Sequence, residues 1–318
     1  MSLSLSVRLR LRARIALSRS LTAVPLRLVI AVRDRNAASG RLFWRALAGV
    51  LRHRPLSPLT EFELPGGSGV RLDASRSRLA QLLFWYGEHG YEGAETHWWR
   101  TLCARSTRIL EIGANIGYYT VQGALAAPGT PYTTVEANPE SAAITSRNVE
   151  LNGLEHVTVV QAAVVGEGAP AAMELALPDQ ERYAAPTGAY LATGTEGISG
   201  RPATASVTVP TVPMSALVEK VDLVKLDIEG YEANVLESVR DWLLEERPVI
   251  VVEVLREAHR LREVIRELRA AGYEVRAIGA DRLHVIGDAE LRDPAPLPRY
   301  GSRDVILVPG ERIGIVEA

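Results

Sequence analysis

The chain has 318 residues, 47% of them hydrophobic and 23% charged, a composition typical of a globular protein with room for one large α/β domain and an extension. Its single cysteine, Cys103, excludes an intrachain disulfide and a cysteine-based metal cluster, and it fits a reducing, cytoplasmic location. No run of about 18 apolar residues occurs, which argues against a membrane-spanning helix.

The net charge of −2 hides a strong asymmetry between the two ends of the chain. Residues 1–55 contain twelve arginines and one acid, Asp34, so they carry +11 and the remainder carries −13. Such a division predicts a basic N-terminal extension, residues 1–58, attached to an acidic domain, residues 59–318. Side chains alternate strictly between apolar and polar from residue 3 to 15, which favours a strand, and apolar spacing over 42–51 favours a helix.

Three roles stay open for residues 1–55. The arm could pack on its own domain, it could be a peripheral surface for anionic lipid or a partner, or it could be a transit peptide. Aromatic residues are not interleaved along the arm in a way that suggests stacking on bases, so we expect no nucleic-acid partner.

After a boundary at Pro55–Pro58, the pattern predicts a hairpin over 61–72 and then an alternation of strands and helices. This alternation, from residue 108 onward, indicates an α/β fold with a mostly parallel, doubly wound sheet and helices on both faces. The predicted strands are 108–112, 132–136, 156–161, 222–227, 248–254, 273–278 and 303–308, and the predicted helices are 76–88, 94–104, 116–127, 139–151, 232–244 and 256–271.

The alternation is interrupted between residues 165 and 220. Residues 173–177 and 205–210 predict a second hairpin, and the intervening segment 178–202 is rich in Gly, Pro, Ala and Thr. A long loop in a compact domain is usually functional or disordered, so we expect this insertion to cover the acceptor.

The segment from Arg108 to Thr120 combines a strand, a glycine turn and the start of a helix. Gly113 and Gly117 remove side chains where backbone approaches a ligand. The spacing Glu-x-Gly-x-Asn-x-Gly differs from the Gly-x-Gly-x-x-Gly of dinucleotide enzymes, and it favours S-adenosylmethionine over NAD.

Two further strand ends complete this predicted cofactor edge. Glu136 ends the next strand, where an acid can accept both hydroxyls of a ribose; alternatively it is a surface residue that caps the following helix. Gln161 and Ala162 end the third strand, where small residues leave room for a flat base.

The fourth predicted strand carries a lysine in an apolar run. Lys225 and Asp227 share one face by period two, and an ion pair with Asp227 or with Glu253 on the next strand would offset the cost of burial. Asp227, Glu229 and Glu253 lie at strand ends, the edge at which open α/β sheets bind ligands. A purely structural ion-pair network is the alternative interpretation.

Four segments resemble the FkbM family of S-adenosylmethionine-dependent methyltransferases, over roughly residues 60–310. The most specific is the run from Lys225 to Glu232, followed by Pro248 and Glu253. In order, the segments are ILEIGANIGYYT, VEANPES, VDLVKLDIEGYE and PVIVVEV.

The resemblance implies a class I methyltransferase fold, with a seven-stranded, mostly parallel sheet and one antiparallel strand near the C terminus. It implies that the glycine loop lines the methionine and ribose end of the cofactor, that Glu136 holds the ribose and that Asp227 faces the methyl group. Tyr91-Glu92 is similar to a pair that the family carries before its first strand, although Glu95 could serve instead. The predicted cofactor-binding residues are Glu92, Glu111, Gly113, Asn115, Gly117, Glu136, Ala137, Gln161, Ala162 and Asp227.

Methyl transfer to a hydroxyl needs alignment of the reacting atoms and a group that accepts the proton. The candidates for that base are Asp227, Glu229, Glu253 and His259, with Lys225 as a structural or positioning residue because nearby carboxylates would raise its pKa. The alternative for His259 is a solvent-facing place on the following helix. The acids could also bind Mg²⁺, but the resemblance does not require a metal, and we predict none.

The resulting hypothesis is O-methylation of a hydroxyl on a sugar, glycoconjugate or polyketide-like secondary metabolite. A nicotinamide-dependent dehydrogenase and a non-catalytic protein of the same fold, held to a membrane or partner by the basic arm, are the alternatives. Oligomeric state is left open.

Overall fold

The computed structural model describes residues 20–39, 41–52, 54, 56–74, 77–178, 185, 187–196, 202–292 and 301–317. The alternation predicted as a strand over residues 3–15 lies outside them. Among the described residues, no helix is both long enough and apolar enough to cross a membrane.

The order of helices and strands follows the predicted alternation closely. The helices are α1 (Leu26–Ser39), α2 (Leu42–Leu51), α3 (Arg78–Tyr86), α4 (Gly93–Cys103), α5 (Tyr118–Ala126), α6 (Pro139–Leu151), α7 (Glu232–Ser238), α8 (Arg240–Glu246), α9 (His259–Ala270) and α10 (Asp288–Arg292). The strands are β1 (Glu61–Glu63), β2 (Arg71–Asp73), β3 (Ile109–Ile112), β4 (Tyr132–Glu136), β5 (Val157–Gln161), β6 (Ala163–Val165), β7 (Ala172–Leu177), β8 (Tyr190–Leu191), β9 (Ala205–Pro213), β10 (Leu223–Leu226), β11 (Val249–Glu253), β12 (Tyr273–Gly279), β13 (Leu283–Ile286) and β14 (Gly301–Pro309).

The chain divides into two compact units, and the first ends at Tyr91 rather than at the predicted boundary after residue 58. Buried Arg33 explains the difference. Its guanidinium pairs with Asp34 at 2.7 Å, donates to the carbonyl of Glu63 on β1 at 3.2 Å and lies 4.8 Å from the ring centre of Phe84 on α3. These contacts join the hairpin β1–β2 and α3 to the N-terminal helices.

The second unit is built on an eight-stranded sheet with the order β13-β12-β14-β11-β10-β3-β4-β5. The five strands from β11 to β5 are parallel, and β14 runs antiparallel to both β11 and β12. All residues of β3 and β10 are buried, and apart from Glu111 and Lys225 they are apolar, as expected for central parallel strands. The seven predicted strands are present; the eighth, β13, pairs antiparallel with β12 at the edge.

The insertion between β5 and β10 forms a second sheet with the order β6-β9-β7-β8. The predicted hairpin is its centre, since β7 pairs antiparallel with β9 and Met173 lies opposite Val209. Leu191 on β8 is 5% exposed and belongs to the main core. The described part of this insertion is therefore packed structure.

The single helix predicted over 232–244 is wrong, because the chain forms α7 and α8 with a break at Val239. Val239 has φ −120° and ψ 28°, outside helical geometry. Its side chain is 6% exposed and packs in the core, so burial of this β-branched residue coincides with the break between α7 and α8.

Candidate active site

The glycine loop between β3 and α5 is pressed against the end of β10. Gly113 has φ +91°, and a Cβ there would lie 1.8 Å from the carbonyl oxygen of Asp227. The Gly113 N–H instead donates to the carbonyl of Val135 at 2.9 Å. Gly113 is therefore needed because two strand ends and their loops meet with no space for a side chain.

Helix α6 holds the other half of the loop. Gly117 has φ +73°, and a Cβ there would meet Thr145 Cγ2 at 2.8 Å. Thr145 Oγ1 donates to the carbonyl of Asn115 at 2.8 Å, and Asn148 Nδ2 donates to the carbonyl of Ile116 at 2.6 Å. The loop carbonyls are thus bound from the α6 side.

Glu136 ends β4 with both carboxylate oxygens bound to backbone. Its Oε2 accepts the N–H of Asn115 at 2.7 Å, and its Oε1 accepts the N–H of Asn138 at 2.8 Å. Burial raises the pKa of Glu136 to about 7, although these two hydrogen bonds oppose the rise. The side chain is 8% exposed and so is not a surface residue; helix α6 is capped by Asn138, whose Oδ1 accepts the N–H of Glu140 at 3.1 Å.

The surroundings of Glu136 fit a polar ligand such as a ribose. Each of its oxygens keeps acceptor capacity beyond one backbone N–H. Among the described residues, Asn115 Oδ1 and Asn138 Nδ2 are buried atoms without a hydrogen-bond partner, and both residues donate to Glu136. Unsatisfied polar atoms of this kind are rare in folded proteins and suit a site that a hydroxylated ligand completes.

Glu111, one of the predicted cofactor-binding residues, is buried on β3. Its side chain is 1% exposed, and its Oε2 accepts the hydroxyls of Thr120 and Tyr132, both at 2.7 Å, and of Thr134 at 3.4 Å. Burial raises the pKa of Glu111, and the hydrogen bonds from Tyr132 and Thr120 act against that rise. These hydrogen bonds support the strand that leads into the loop, and contact of Glu111 with the cofactor stays a prediction.

The residues predicted beside a flat base lie next to Glu136. Gln161 is exposed and donates from Nε2 to the carbonyl of Ala137 at 3.0 Å. The N–H of Ala162 donates to the carbonyl of Glu136 at 3.1 Å, and its side chain is 6% exposed. Their contact with a base stays a prediction.

Lys225 is buried among acids at the end of β10. Its Nζ lies 3.3 Å from both Asp227 Oδ2 and Glu95 Oε1, and 4.7 Å from the ring centre of Tyr119. Burial alone lowers the pKa of Lys225, but Asp227 and Glu95 outweigh it and hold the pKa well above its usual range. The predicted pair with Asp227 is confirmed. The alternative partner, Glu253, contacts Arg303 instead, with Nη1 3.4 Å from Oε1.

Asp227 has a raised pKa and a side chain that is partly accessible to solvent. Desolvation raises the pKa of Asp227 to about 7 against the attraction of Lys225, and Asp304 and Glu229 add repulsion. Its side chain nevertheless keeps 31% exposure, so its oxygens can be reached from outside.

A second group of acids faces Asp227 from β11 and β14. Glu253 lies opposite Asp304 in the antiparallel pairing of these strands. Burial raises the pKa of Glu253 well above its usual range, and Asp227 and Glu229 add to the effect. Within the described residues, Glu253 Oε2 and Asp304 Oδ1 are buried without a hydrogen-bond partner, yet no group of acids, His or Cys is arranged to hold a metal.

The loop that follows Asp227 is stabilised by the carboxylate of Glu232, which lies at the end of the same loop. Glu232 Oε1 accepts the N–H of Ile228 at 2.9 Å and of Gly230 at 3.1 Å. Glu229 has φ 54°, so the loop includes a left-handed residue. Burial raises the pKa of Glu232 to about 7, while those backbone hydrogen bonds lower it.

The insertion contacts this loop through Glu196. The N–H of Glu196 donates to the carbonyl of Gly230 at 2.8 Å. Its carboxylate accepts the N–H of Arg260 at 3.1 Å and of Leu261 at 3.3 Å, which caps α9. Glu196 thereby connects residues 187–196 of the insertion to the loop that follows Asp227 and to the N terminus of α9.

Of two further predicted residues, Glu92 is connected to the site and His259 is exposed to solvent. Glu92, at the start of α4, accepts the hydroxyl of Tyr119 at 2.9 Å, so it is connected through that ring to Lys225. His259 is exposed as the first residue of α9, in line with the solvent-facing alternative. Sequence reasoning missed Tyr119 and Asp304, since nothing local signals that a tyrosine on α5 contacts Lys225 or that an acid on β14 raises its pKa.

Comparison with known proteins identifies the family of this arrangement. A family model described as the methyltransferase FkbM domain matches residues 111–275, slightly more than half of the chain. This range contains both the glycine loop and the run from Lys225 to Glu232. No curated protein matches the chain.

Several solved structures are similar at low identity. The methyltransferase FkbM from Methylobacillus flagellatus KT is 15% identical with a TM-score of 0.40; 72% of this chain aligns with 54% of that one, about half of its length. A SAM-dependent methyltransferase from Agrobacterium tumefaciens is 14% identical over 81% of this chain and 72% of that one, with a TM-score of 0.39. An O-methyltransferase from Bacillus cereus in complex with SAH is 19% identical over 68% and 79%, with a TM-score of 0.35.

Proposed function

The chain belongs to the FkbM family of S-adenosylmethionine-dependent methyltransferases, and on this premise we propose that it methylates a hydroxyl oxygen. The acceptor in this proposal is a sugar, a glycoconjugate or a polyketide-like secondary metabolite. S-adenosylmethionine supplies an electrophilic methyl group, which bonds to the acceptor oxygen as its bond to sulfur breaks and a neutral thioether leaves.

Asp227 carries the proposal as the general base. An aliphatic hydroxyl must lose its proton during or after attack, and a base works best when its pKa is near the working pH. Asp227 has a pKa of about 7 and a partly exposed side chain, so about half of the molecules carry an ionised Asp227 at neutral pH, and the side chain is open to an acceptor. In this scheme the hydroxyl proton passes to the Asp227 carboxylate.

Lys225 serves as a positioning residue in this scheme. Its ammonium group is fixed between Glu95 and Asp227 and lies against the ring of Tyr119, which limits the rotation of the Asp227 carboxylate. The raised pKa of Lys225 keeps it charged, so it does not compete for the acceptor's proton. Asp304 and Glu229 would then raise the basicity of Asp227 by repulsion.

The ribose of the cofactor would be held by Glu136, with Asn115 Oδ1 and Asn138 Nδ2 as further polar contacts. Gly113 connects the two halves of the site, because its loop is packed directly against the carbonyl of Asp227. We assign acceptor selection to the described residues 187–196 of the insertion, because Glu196 binds the loop that follows Asp227.

The test of the base uses Asp227→Asn and an isotope-labelled methyl donor. A panel of hydroxylated sugars and polyketides is incubated with the wild-type enzyme, and mass spectrometry identifies a product with one labelled methyl group on oxygen. We expect Asp227→Asn to lower turnover by about 10²- to 10⁴-fold. Wild-type turnover should rise with pH and level off above about 7.

The matched control is Asp281→Asn, an exposed aspartate in the turn before β13, which should keep full activity. A product methylated on nitrogen, sulfur or carbon would contradict O-methylation. Full turnover of Asp227→Asn would remove Asp227 as the base while leaving the methyltransferase assignment intact.

A further inference from the structure

Helix α2 in the first unit is apolar on two sides, and the residues that the structure describes cover one of them. Ala48 is 1% exposed and Leu51 is 4% exposed, so this side packs within the unit. On the other side, Leu42 is 81% exposed, Phe43 is 66% exposed and Val50 is 49% exposed. Large apolar side chains this exposed and this close together mark an interaction surface.

The exposed residues form a continuous face with a basic border. At about 100° of rotation per residue, Leu42, Phe43, Ala46 and Val50 share one side of the helix. The exposed Arg45 and Arg52 then fall together along one border of that side, and the exposed Arg41 directly precedes the helix as its N-cap residue. Apolar side chains next to a row of arginines are typical of helices that lie in the interface of a membrane.

We propose that this face of α2 docks on a bilayer surface rich in anionic lipid. Between residues 20 and 60 the chain has seven arginines and one acid, Asp34, which is paired with Arg33 at 2.7 Å. Arg33 and Arg54 are buried and donate to backbone carbonyls, so they serve the fold. The exposed arginines are Arg27, Arg35, Arg41, Arg45 and Arg52.

Charge distinguishes this occupant from two others. A second copy of α2 would bring one arginine border against another, which like-charge repulsion opposes. Residues 1–19 of the same chain carry five arginines and no acid, so they too would meet the border with like charge. Anionic headgroups complement the border, while the acyl boundary takes up Leu42, Phe43 and Val50.

Vesicle flotation of the full-length protein tests the proposal. Vesicles of phosphatidylcholine alone are compared with vesicles that also contain phosphatidylglycerol, at low and at high salt. We expect binding to the anionic vesicles that weakens with salt, and a loss of about tenfold or more in the partition coefficient for the double variant Leu42→Ser/Phe43→Ser. Arg41→Glu/Arg45→Glu should weaken binding as well.

Two matched controls separate this surface from general stickiness and charge. Val285→Ser removes a side chain that is 62% exposed on β13, and Arg256→Glu reverses an exposed arginine; both should bind like the wild type. Melting temperatures measured by circular dichroism establish that each variant is folded.

Three results would overturn the proposal. The first is a wild-type protein that does not float with anionic vesicles. The second is unchanged binding of folded Leu42→Ser/Phe43→Ser, which would assign the attraction to other basic residues. The third is a dimer, seen by light scattering, that Phe43→Ser dissociates while vesicle binding stays the same.

Discussion

Glu136 and Asp227 both have a pKa near 7, but their surroundings suit them to different tasks. Glu136 is 8% exposed and bound to two backbone N–H groups, so it is held in one orientation. The side chain of Asp227 contacts a lysine but keeps 31% exposure. Because it is exposed, its carboxylate can contact the hydroxyl of an acceptor. The fixed acid is suited to binding and the accessible one to proton transfer.

The role proposed for Glu136 in cofactor binding predicts the effect of Glu136→Gln. The amide keeps one oxygen acceptor but lacks the charge, so affinity for S-adenosylmethionine should weaken by about 1–3 kcal/mol in calorimetry. Wild-type affinity should fall by up to about tenfold for each pH unit below the pKa of about 7, because protonation removes the same acceptor. In Glu136→Gln that pH dependence should disappear.

Glu140→Gln is the matched control, because Glu140 is exposed in the first turn of α6 and only its backbone N–H contacts Asn138. It should bind like the wild type at every pH. Equal affinities for Glu136→Gln and wild type would show that the ribose is held elsewhere.

At the scale of secondary structure, the site depends on the contact between the ends of β3 and β10. Gly113 has a positive φ, and a Cβ there would overlap the carbonyl of Asp227 at 1.8 Å. The register pairs Ile112 with Leu226, so the two loops leave adjacent strands side by side. Any separation of these strand ends would move the glycine loop away from Asp227.

Gly113→Ala should therefore lower the free energy of unfolding by more than backbone strain alone would. Overpacking and an unfavourable φ each cost about 1–3 kcal/mol, so we expect a loss of about 2–6 kcal/mol in the free energy of unfolding by urea. Gly129→Ala is the control, because Gly129 also has a positive φ, +78°, but open space around its Cβ position. A similar loss in both variants would mean that the contact with Asp227 has no energetic importance.

Sequence patterns predicted the parallel strands and the acids at their ends because both depend on local features. Period two placed Lys225 and Asp227 on one face, and the carboxyl end of a parallel strand brought Glu136 to the loop. The partners Glu95 on α4 and Asp304 on β14 depend on how distant elements pack. The break at Val239 likewise reflects burial in the core, which outweighs helix periodicity.

At the scale of the whole molecule, charge is segregated along the chain and within the second unit. The first 55 residues carry +11, whereas the acidic remainder gathers Asp227, Glu229, Glu253 and Asp304 at one edge of its sheet. The composition predicted the first of these separations. The second could not be predicted in full, because the position of Asp304 depends on the antiparallel register of β14 with β11.

Buried carboxyl groups make the stability of the folded chain depend on pH in an unusual direction. Glu136, Asp227 and Glu232 have pKa values raised to about 7, chiefly by burial, against about 4 in an unfolded chain. Between about pH 4 and 7 the folded state therefore holds more protons than the unfolded state. The free energy of unfolding should fall as pH rises through this range, by up to about 1.4 kcal/mol per pH unit for each group.

Urea denaturation followed by tryptophan fluorescence at a series of pH values measures this slope. Lys225 does not contribute to it, because a raised lysine pKa affects stability only above its ordinary value of about 10.4. Glu232→Gln retains an oxygen acceptor for the N–H groups of Ile228 and Gly230 but has no proton to release. The free energy of unfolding of this variant should therefore fall less steeply with pH, by up to about 1.4 kcal/mol per pH unit. Glu245→Gln, at an exposed site on α8, should keep the wild-type slope. If stability instead rose from about pH 4 to 7, these carboxyl groups would be ionised in the folded protein over the whole range, and the raised pKa proposed for the base would be lost with them.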